Sequence, residues 1–124
     1  MSQDIVADAL NQIMNAKKAR KEEVEIKKHS KLLLLVLAVA KLKGYIKSYA
    51  IEKTSLRVKI GKLNSCRAIK PRYMVHVDEI EKYVNRYLPA KNLGTIIISS
   101  SRGLITHTTA LEKNIGGALI AYFY

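Results

Sequence analysis

Apolar residues in the first half of the chain recur with the period of a helix in some segments and of a strand in others. In DIVADALNQIMNA they recur every three or four positions, which predicts a helix that Asp4 can cap. EVEIK alternates and predicts a short strand. KLLLLVLAVAKLK predicts a second helix, with Ser30 as its cap and Gly44 as its end. Because this helix is apolar nearly all round, we expect it to be buried on several sides.

Two further alternating segments complete the first lobe. YIKSYAIE and LRVKIG, on either side of Lys53–Ser55, predict a β-hairpin. The predicted order of elements in this lobe is therefore α-β-α-β-β.

The second half of the chain has mainly the pattern of strands. YMVHV predicts a strand, and DEIEKYVNRYLP has the spacing of a helix that Pro89 ends, with Asp78 and Glu81 placed as in a capping box. GTIIIS and LITH predict two strands joined by SSRG, TTALEKN predicts a short helix, and ALIAYFY predicts a last strand after Gly116–Gly117.

The predicted fold is therefore α+β, with two small lobes. The N-terminal α-β-α-β-β lobe takes residues 1–65, and a C-terminal, mainly β lobe with short helices takes residues 66–124. The stretch Gly61–Arg72, which contains a glycine and a proline, marks the predicted boundary.

Charge divides the chain unevenly. The formal net charge is +12 and the pI is near 9.9. Residues 1–73 hold 17 lysines and arginines against 6 carboxylates, a net +11, whereas residues 74–124 hold 5 against 4, a net +1. A small protein this basic usually binds a polyanion, with nucleic acid as the first candidate, an anionic membrane surface as the second and an acidic protein as the third.

Several classes of protein do not match the sequence. The single cysteine, Cys66, cannot form an internal disulfide and lacks the spacing of a zinc site. MSQDIVADALNQ lacks the basic-then-apolar order of a signal peptide, and LLLLVLAVA is far shorter than the roughly 20 residues of a membrane helix. We expect a soluble cytoplasmic protein without metal, cofactor or small-molecule substrate, in which Cys66 is a small packing residue.

Three consecutive serines, Ser99–Ser101, end the strand GTIIIS and precede Arg102 and Gly103. A catalytic serine needs a base and an oxyanion hole, and the Gly-x-Ser-x-Gly pattern of a nucleophile elbow is missing here, so we expect no catalysis. The serines either hydrogen-bond only within a turn, or present hydroxyls and amides to a phosphate, a ribose 2′-OH or a base edge. Residue chemistry alone divides these two interpretations evenly.

Basic residues crowd the region between the first helix and the start of the second: Lys17, Lys18, Arg20, Lys21, Lys27, Lys28 and Lys31. Few acids offset this lobe, which favours a phosphate-facing patch over a merely solvated face. Lys31 follows Ser30 at a helix start, where the helix dipole disfavours a cation and favours an anion. Ser30 and Lys31 are therefore the better candidates for contact with a phosphate.

The tyrosines do not suggest a platform for unpaired bases. Tyr83 and Tyr87 lie on the apolar stripe of their predicted helix and are expected in the core, and Tyr122 and Tyr124 fall on one face of the last strand. Structured RNA, recognised by shape, ribose and phosphate, matches this sequence better than a single strand does.

The stretch GTIIISSSRGLITHTTAL resembles the signature of the small-subunit ribosomal protein eight family. The matching positions are Gly94, Ile96 to Ile98, Ser99 to Ser101, Gly103, Leu104, Ile105 and Ala110. ADALNQIMNA, HSK, GYI, KP and the Gly116–Gly117 pair follow the family order, so the resemblance covers essentially the whole chain. RYLPAKNLG and AYFY are more similar to the archaeal and eukaryotic branch.

Two positions depart from the family pattern. Ser100 stands where threonine is usual, which keeps the hydroxyl and loses the β-branch. Thr108 and Thr109 stand where the following helix usually has an acidic start.

The resemblance implies a non-enzymatic, structural constituent of the small ribosomal subunit, with neighbouring ribosomal proteins as partners. It implies direct binding to a helical region of the central domain of small-subunit rRNA during assembly, with the specific contacts made by the hydroxyl-rich turn. The glycine pair would allow close approach of the backbone. Asn15, Ser30 and Lys31 would contact the RNA backbone from the N-terminal lobe. The candidate RNA-binding residues are Ser99, Ser100, Ser101, Gly103, Gly116, Gly117, Ser30, Lys31 and Asn15, and from charge alone Lys70 and Arg72.

Alternatives stay open beside this reading. A translational regulator that binds an mRNA mimic of the rRNA site would use the same surface. Among enzymes, the alternative is a serine hydrolase. A membrane-surface role has the least support, because neither predicted helix pairs a basic face with exposed apolar bulk.

Overall fold

The computed structural model describes residues 4–70, 72–90 and 93–124. The chain forms two compact units, residues 1–67 and 68–124, against an expected division after residue 65. With this boundary the first unit holds 15 lysines and arginines against 6 carboxylates, a net +9, and the second holds 7 against 4, a net +3. The α+β class agrees with the prediction, and the predicted elements occur in the predicted order; a short strand at Cys66–Ala68 and a 3-10 turn at Val77–Glu79 were not predicted.

The first helix, α1 (Ile5–Lys18), begins at Asp4 as expected. The Asp4 carboxylate accepts a hydrogen bond from the N–H of Ala7 at 3.2 Å. The helix continues past the predicted end, which places Lys17 and Lys18 in its last turn, where cations stabilise the helix dipole. Its buried face consists of Val6, Ala7, Ala9, Leu10, Ile13 and Ala16.

The second helix, α2 (Lys31–Leu42), begins at the predicted cap. The hydroxyl oxygen of Ser30 accepts from the N–H of Leu33 at 3.2 Å, and Gly44 follows the helix with a φ of +86°. Leu33, Val36, Leu37 and Ala40 are buried.

The expectation that α2 is buried on several sides is wrong. Leu35 is 46% exposed and Leu42 is 83% exposed, and Ala38 between them is exposed as well. Within its unit α2 packs against α1 and against β2 (Ile46–Glu52), and these neighbours cover one face of the helix.

The sheet of the first unit has three antiparallel strands in the order β1 (Glu23–Ile26), β3 (Ser55–Ile60) and β2. Lys53, with a φ of +58°, turns the predicted hairpin between β2 and β3. On β3 the buried Leu56, Val58 and Ile60 alternate with the exposed Arg57 and Lys59. This alternation turns the apolar half of the strand towards the core and the basic half towards solvent.

Cys66 packs inside the first unit, as expected. Its Sγ lies 3.8 Å from the carbonyl oxygen of Leu10, to which it donates, and its N–H donates to the sulfur of Met14 at 3.3 Å. Burial raises the pKa of the thiol to about 12. The thiol is therefore protonated and inert at neutral pH.

The second sheet has five strands: β4 (Cys66–Ala68), β5 (Met74–Val75), β6 (Thr95–Ser100), β7 (Gly103–Thr106) and β8 (Gly117–Phe123). Their order is β4-β8-β6-β7, and β5 also pairs with β8. The strands β6, β7 and β8 pair antiparallel, and a bulge in the register of β6 on β8 lies between Ile97 and Ile98.

The strand predicted for YMVHV is shorter than expected, and the helix after it has a different cap. A turn of 3-10 helix, Val77–Glu79, follows β5 directly. The Glu79 carboxylate accepts from the N–H of His76 at 3.0 Å, and the N–H of Glu79 donates to the carbonyl of His76 at 2.9 Å. The predicted Asp78–Glu81 capping box is therefore wrong, because the helical turns begin two residues earlier.

Two helices belong to the second unit, α3 (Ile80–Tyr87) and α4 (His107–Lys113). Leu88 adopts an extended conformation before Pro89, which ends α3 as predicted. Asn114, with a φ of +57°, ends α4. The buried core joins α3 and α4 to the sheet through Ile69, Val75, Ile80, Tyr83, Val84, Leu88, Ile96, Ile98, Ala110 and Leu119. In the described part of the chain, every helix is too short or too polar to span a membrane.

Candidate nucleic-acid interface

The serine-rich turn is a tight hairpin between β6 and β7. Ser100 pairs with Gly103, and Ser101 and Arg102 form the exposed tip. The hydroxyl of Ser100 donates to the carbonyl oxygen of Gly103 at 2.9 Å and accepts from the N–H of Arg102 at 3.1 Å. Gly103 has a φ of +99°, a conformation that favours glycine, with open space where a Cβ would lie. Ser100 and Gly103 therefore hold the shape of the turn.

The neighbouring serines have a different environment. Ser99 is half-buried and Ser101 is exposed, and neither hydroxyl makes a hydrogen bond to any residue in 4–70, 72–90 or 93–124. These two hydroxyls can both donate to and accept from a ligand. Ser100 can offer only its remaining lone pair, because its proton is engaged by Gly103.

The geometry does not support a nucleophilic serine. The proton that Ser100 would pass to a histidine base is donated to a backbone carbonyl. The buried imidazole of His107 accepts the N–H of Ile96 at its Nδ1, at 3.1 Å. This ring braces the start of β6 from inside the unit.

The glycine pair lies beside the serine turn, although 15 or more residues separate them in sequence. Ser99 on β6 pairs with Ala118 on β8, and a Cβ on Gly117 would collide with the carbonyl oxygen of Ser99. A Cβ on Gly116 would collide with the carbonyl oxygen of Val75. The close backbone approach that these glycines allow is therefore an approach within the protein, and contact of the pair with RNA remains a prediction.

A cluster of threonine hydroxyls starts α4. Thr106 caps the helix by accepting from the N–H of Thr109 at 3.3 Å. Its hydroxyl also lies 2.9 Å from that of Thr108 and 3.1 Å from that of Thr109. Neutral hydroxyls thus start this helix, and its first turn carries no acidic residue.

The candidates of the first unit lie on two helices. Asn15 is exposed near the end of α1, and Lys31 is exposed in the first turn of α2. Ser30 is half-buried, and its oxygen already caps the helix. Ser30 thus has a structural role that holds whether or not RNA is bound.

Lys70 and Arg72 fall in the second unit, shortly after β4. Both side chains are exposed. They account for two of the seven basic residues of that unit, so the unit that carries the serine turn has a clear positive charge.

Five tyrosines of the second unit form a continuous row of ring contacts. The ring centroids are 5.6 Å apart for Tyr73–Tyr83, 6.4 Å for Tyr83–Tyr87, 5.4 Å for Tyr87–Tyr122 and 6.1 Å for Tyr122–Tyr124. Each of these distances is within the range of favourable ring pairs. Three of the pairs are stacked and Tyr73–Tyr83 is tilted, and the row joins α3 to β8.

The structure also brings together basic residues that the sequence analysis did not connect. Lys17, Arg20 and Lys21 line a cleft with Lys47 and Lys62. The run from Lys17 to Lys21 is visible in the sequence, but Lys47 and Lys62 lie on other segments and had no local signal. Among the described residues, no three His, Cys, Asp or Glu side chains group as a metal site would need.

Comparison with known proteins identifies the family of the chain. The model of the family "Ribosomal protein S8" matches residues 4–124. Small ribosomal subunit protein uS8 of Nanoarchaeum equitans is 40% identical over the full length of both chains. The protein of the same name from Methanosphaerula palustris is 40% identical over 98% of both chains, and uS8A of Schizosaccharomyces pombe is 35% identical over 98% of both. The chain therefore belongs to the ribosomal protein S8 family.

Proposed function

We propose that the chain is a structural constituent of the small ribosomal subunit that binds a helical region of the central domain of small-subunit rRNA directly during assembly. Membership in the ribosomal protein S8 family makes it a structural, non-enzymatic protein. Its relatives are named as small ribosomal subunit proteins, so its place is in the ribosome, with rRNA and other ribosomal proteins as partners.

The observation that carries the RNA-binding part of the proposal is the geometry of the serine turn. Ser100 and Gly103 fix the hairpin, and this leaves the hydroxyls of Ser99 and Ser101 free to bond a ligand. A rigid loop loses little conformational freedom on binding, and paired hydroxyls suit ribose 2′-OH groups and base edges. The turn supplies positional fit to one RNA site.

The first unit supplies most of the electrostatic attraction to phosphate. Its net charge of +9 draws in any phosphate backbone, independently of base sequence. Asn15, Ser30 and Lys31 are the contacts we propose there, and Lys70, Arg72 and the Gly116–Gly117 backbone are those we propose in the second unit beside the turn. Recognition and attraction are thus assigned to different parts of the chain.

A direct test compares two RNA helices in filter binding at several salt concentrations. We expect the protein to bind a central-domain helix of small-subunit rRNA at least about a thousandfold more tightly than an unrelated helix of equal length, as specific sites usually require. Equal affinity for both would overturn the proposal. In cells, co-sedimentation with the small subunit should persist through a moderate salt wash.

Crosslinking in cells addresses the mRNA alternative. Crosslinks to small-subunit rRNA alone indicate a structural role only. Additional crosslinks to a message would add a regulatory role through the same turn, because an RNA that mimics the rRNA site presents the same ribose and base edges.

A further inference from the structure

A cleft of about 630 Å³ lies in the first unit, between the end of α1 and the end of β3. Five basic side chains line it: Lys17, Arg20, Lys21, Lys47 and Lys62. Among the described residues of its wall, Glu22 is the one carboxylate. The volume is in the range of pockets that hold a ligand larger than a single phosphate group.

Within the described part of the chain, none of the five cations of the cleft forms an ion pair with a carboxylate. Arg57 lies 3.5 Å from Glu23 and 3.4 Å from Glu52, so it engages two of the six carboxylates of its unit. These acids raise the pKa of Arg57, with Glu52 as the largest cause. Two of the three acids of the sheet thus pair with Arg57 and not with the cations of the cleft.

Two negative features oppose anion binding in the cleft, and both are smaller than the positive charge. Glu22 contributes one negative charge, and the C-terminal end of α1 contributes roughly half of one. Five positive charges exceed this sum by more than three. The cleft therefore attracts a ligand with several negative charges.

The backbone of the cleft is held by hydrogen bonds on both sides. The N–H groups of Gly61 and Lys62 donate to the carbonyls of Tyr45 and Gly44 at 2.9 and 3.0 Å. A Cβ on Gly61 would lie 2.6 Å from the carbonyl oxygen of Gly44, so glycine allows this close packing. On the other side, the N–H of Lys21 donates to the carbonyl of Ala16 at 2.9 Å. The cations are thus presented from a fixed frame.

We propose that this cleft binds closely spaced phosphate groups, which a bend of an RNA backbone or a free polyphosphate can supply. The inference deepens the proposed function, because it locates the phosphate attraction of the first unit in one concave site. It also rests on that function, since the expected source of the phosphates is the bound RNA. The residues of the cleft are separate from the serine turn and from Ser30 and Lys31.

The test compares two double variants of the full chain. Lys21→Gln with Lys62→Gln removes two charges from the cleft, and Lys53→Gln with Lys59→Gln removes two exposed charges that lie outside it. Binding of the central-domain RNA helix is measured by fluorescence anisotropy between 50 and 200 mM salt. The affinity of the wild type for RNA should fall as salt rises over this range. The cleft variant loses two phosphate contacts, so its fall in affinity should be about tenfold smaller. The control variant should change it much less. Far-UV circular dichroism and thermal unfolding confirm that both variants are folded.

Calorimetric titration with inorganic tripolyphosphate separates the two sources. Weaker binding of both RNA and tripolyphosphate by the cleft variant supports a site for phosphates from any source, and weaker binding of RNA alone supports an RNA backbone site. Weaker binding of tripolyphosphate alone supports a site for a free polyphosphate. If the cleft and control variants behave alike with both probes, the cleft proposal is wrong even though central-domain RNA is still bound specifically. If wild type binds both RNA helices equally, the proposed function fails while the cleft comparison stays valid.

Discussion

The hydroxyl of Ser100 lies between two partners of its own turn, the carbonyl of Gly103 and the N–H of Arg102. The family resemblance led us to expect threonine there, and serine supplies the same hydroxyl, which forms both bonds; the methyl group of threonine would take no part in them. The adjacent Ser99 and Ser101 keep their hydroxyls available. One residue of the three thus shapes the turn, and two are placed to meet a ligand.

Ser100→Ala should weaken binding of the central-domain RNA by about 1–3 kcal/mol, because it removes two hydrogen bonds that hold the turn and a lone pair that an RNA group could use. Filter binding at one salt concentration measures this. Ser100→Thr is the matched control, since it restores the hydroxyl and should bind like wild type. An alanine variant with wild-type affinity would remove the turn from the proposed interface.

Gly117→Ala should destabilise the protein by about 1–3 kcal/mol, because the new methyl group meets the carbonyl oxygen of Ser99 in a backbone that cannot move far. Thermal unfolding by circular dichroism gives the change. Ser101→Ala, in the exposed turn, is the control and should change stability by less than about 0.5 kcal/mol. A stable Gly117→Ala protein would show that β6 and β8 separate easily at this point.

At the scale of single elements, the ends and the faces of helix α2 have different roles. The start of α2 combines a cap, Ser30, with an exposed cation, Lys31. Its faces divide into a buried side with Leu37 and an exposed side with Leu42. Substitutions at these positions separate the stability of the helix from its part in binding.

Ser30→Asp should keep the stability of the protein and lower its affinity for RNA. Aspartate caps a helix as well as serine does, and its charge favours the helix dipole. The same charge would repel a phosphate at the proposed contact beside Lys31. Ser30→Ala gives the opposite test of the cap, with an expected loss of about 1 kcal/mol of stability. Chemical denaturation and filter binding are measured on both variants, and unchanged affinity of Ser30→Asp would exclude the contact.

Leu37→Ala should cost about 2–5 kcal/mol of stability, because it leaves a cavity under α2. Leu42→Ala on the same helix should cost less than about 0.5 kcal/mol, because this side chain is 83% exposed. Urea unfolding of the two variants measures the difference. Similar losses would indicate that α2 is covered on both faces in solution, as its sequence had suggested.

At the scale of the whole molecule, the charge difference between the units predicts how salt acts on binding. The first unit has a net charge of +9 and the second has +3. Phosphate contacts make affinity fall with salt, whereas fitted hydroxyl contacts change affinity equally at every salt concentration. The two kinds of contact therefore give different signatures in one experiment.

Lys31→Ala should reduce the slope of log affinity against log salt by roughly 0.7–0.9, the contribution of one phosphate contact. Ser100→Ala should lower the whole line and leave its slope unchanged. Both follow from filter binding over a salt series with the same RNA. A parallel shift for Lys31→Ala would show that Lys31 acts on folding or on a neighbouring residue and makes no phosphate contact.

Local signals in the sequence determined the elements and most of their ends. The caps Asp4 and Ser30, the stop at Pro89 and the hairpin at Lys53 depend on neighbours within four residues, so they can be predicted without the fold. The cap before α3 differs from the predicted one, because the Glu79 carboxylate accepts from the N–H of His76 and the helical turns begin there. The two-lobe α+β class, the charge and the family resemblance likewise follow from the sequence alone.

Only the tertiary structure decided what depends on distant segments. It placed Gly117 against Ser99, exposed one face of α2 and gathered Lys47 and Lys62 beside Lys21. Strand register and helix packing set these neighbours, and both depend on contacts between residues far apart in sequence. The composition of the chain determined that it attracts a polyanion. The pairing of β6 with β7 and β8 determined that the hydroxyls of Ser99 and Ser101 are left to contact that polyanion.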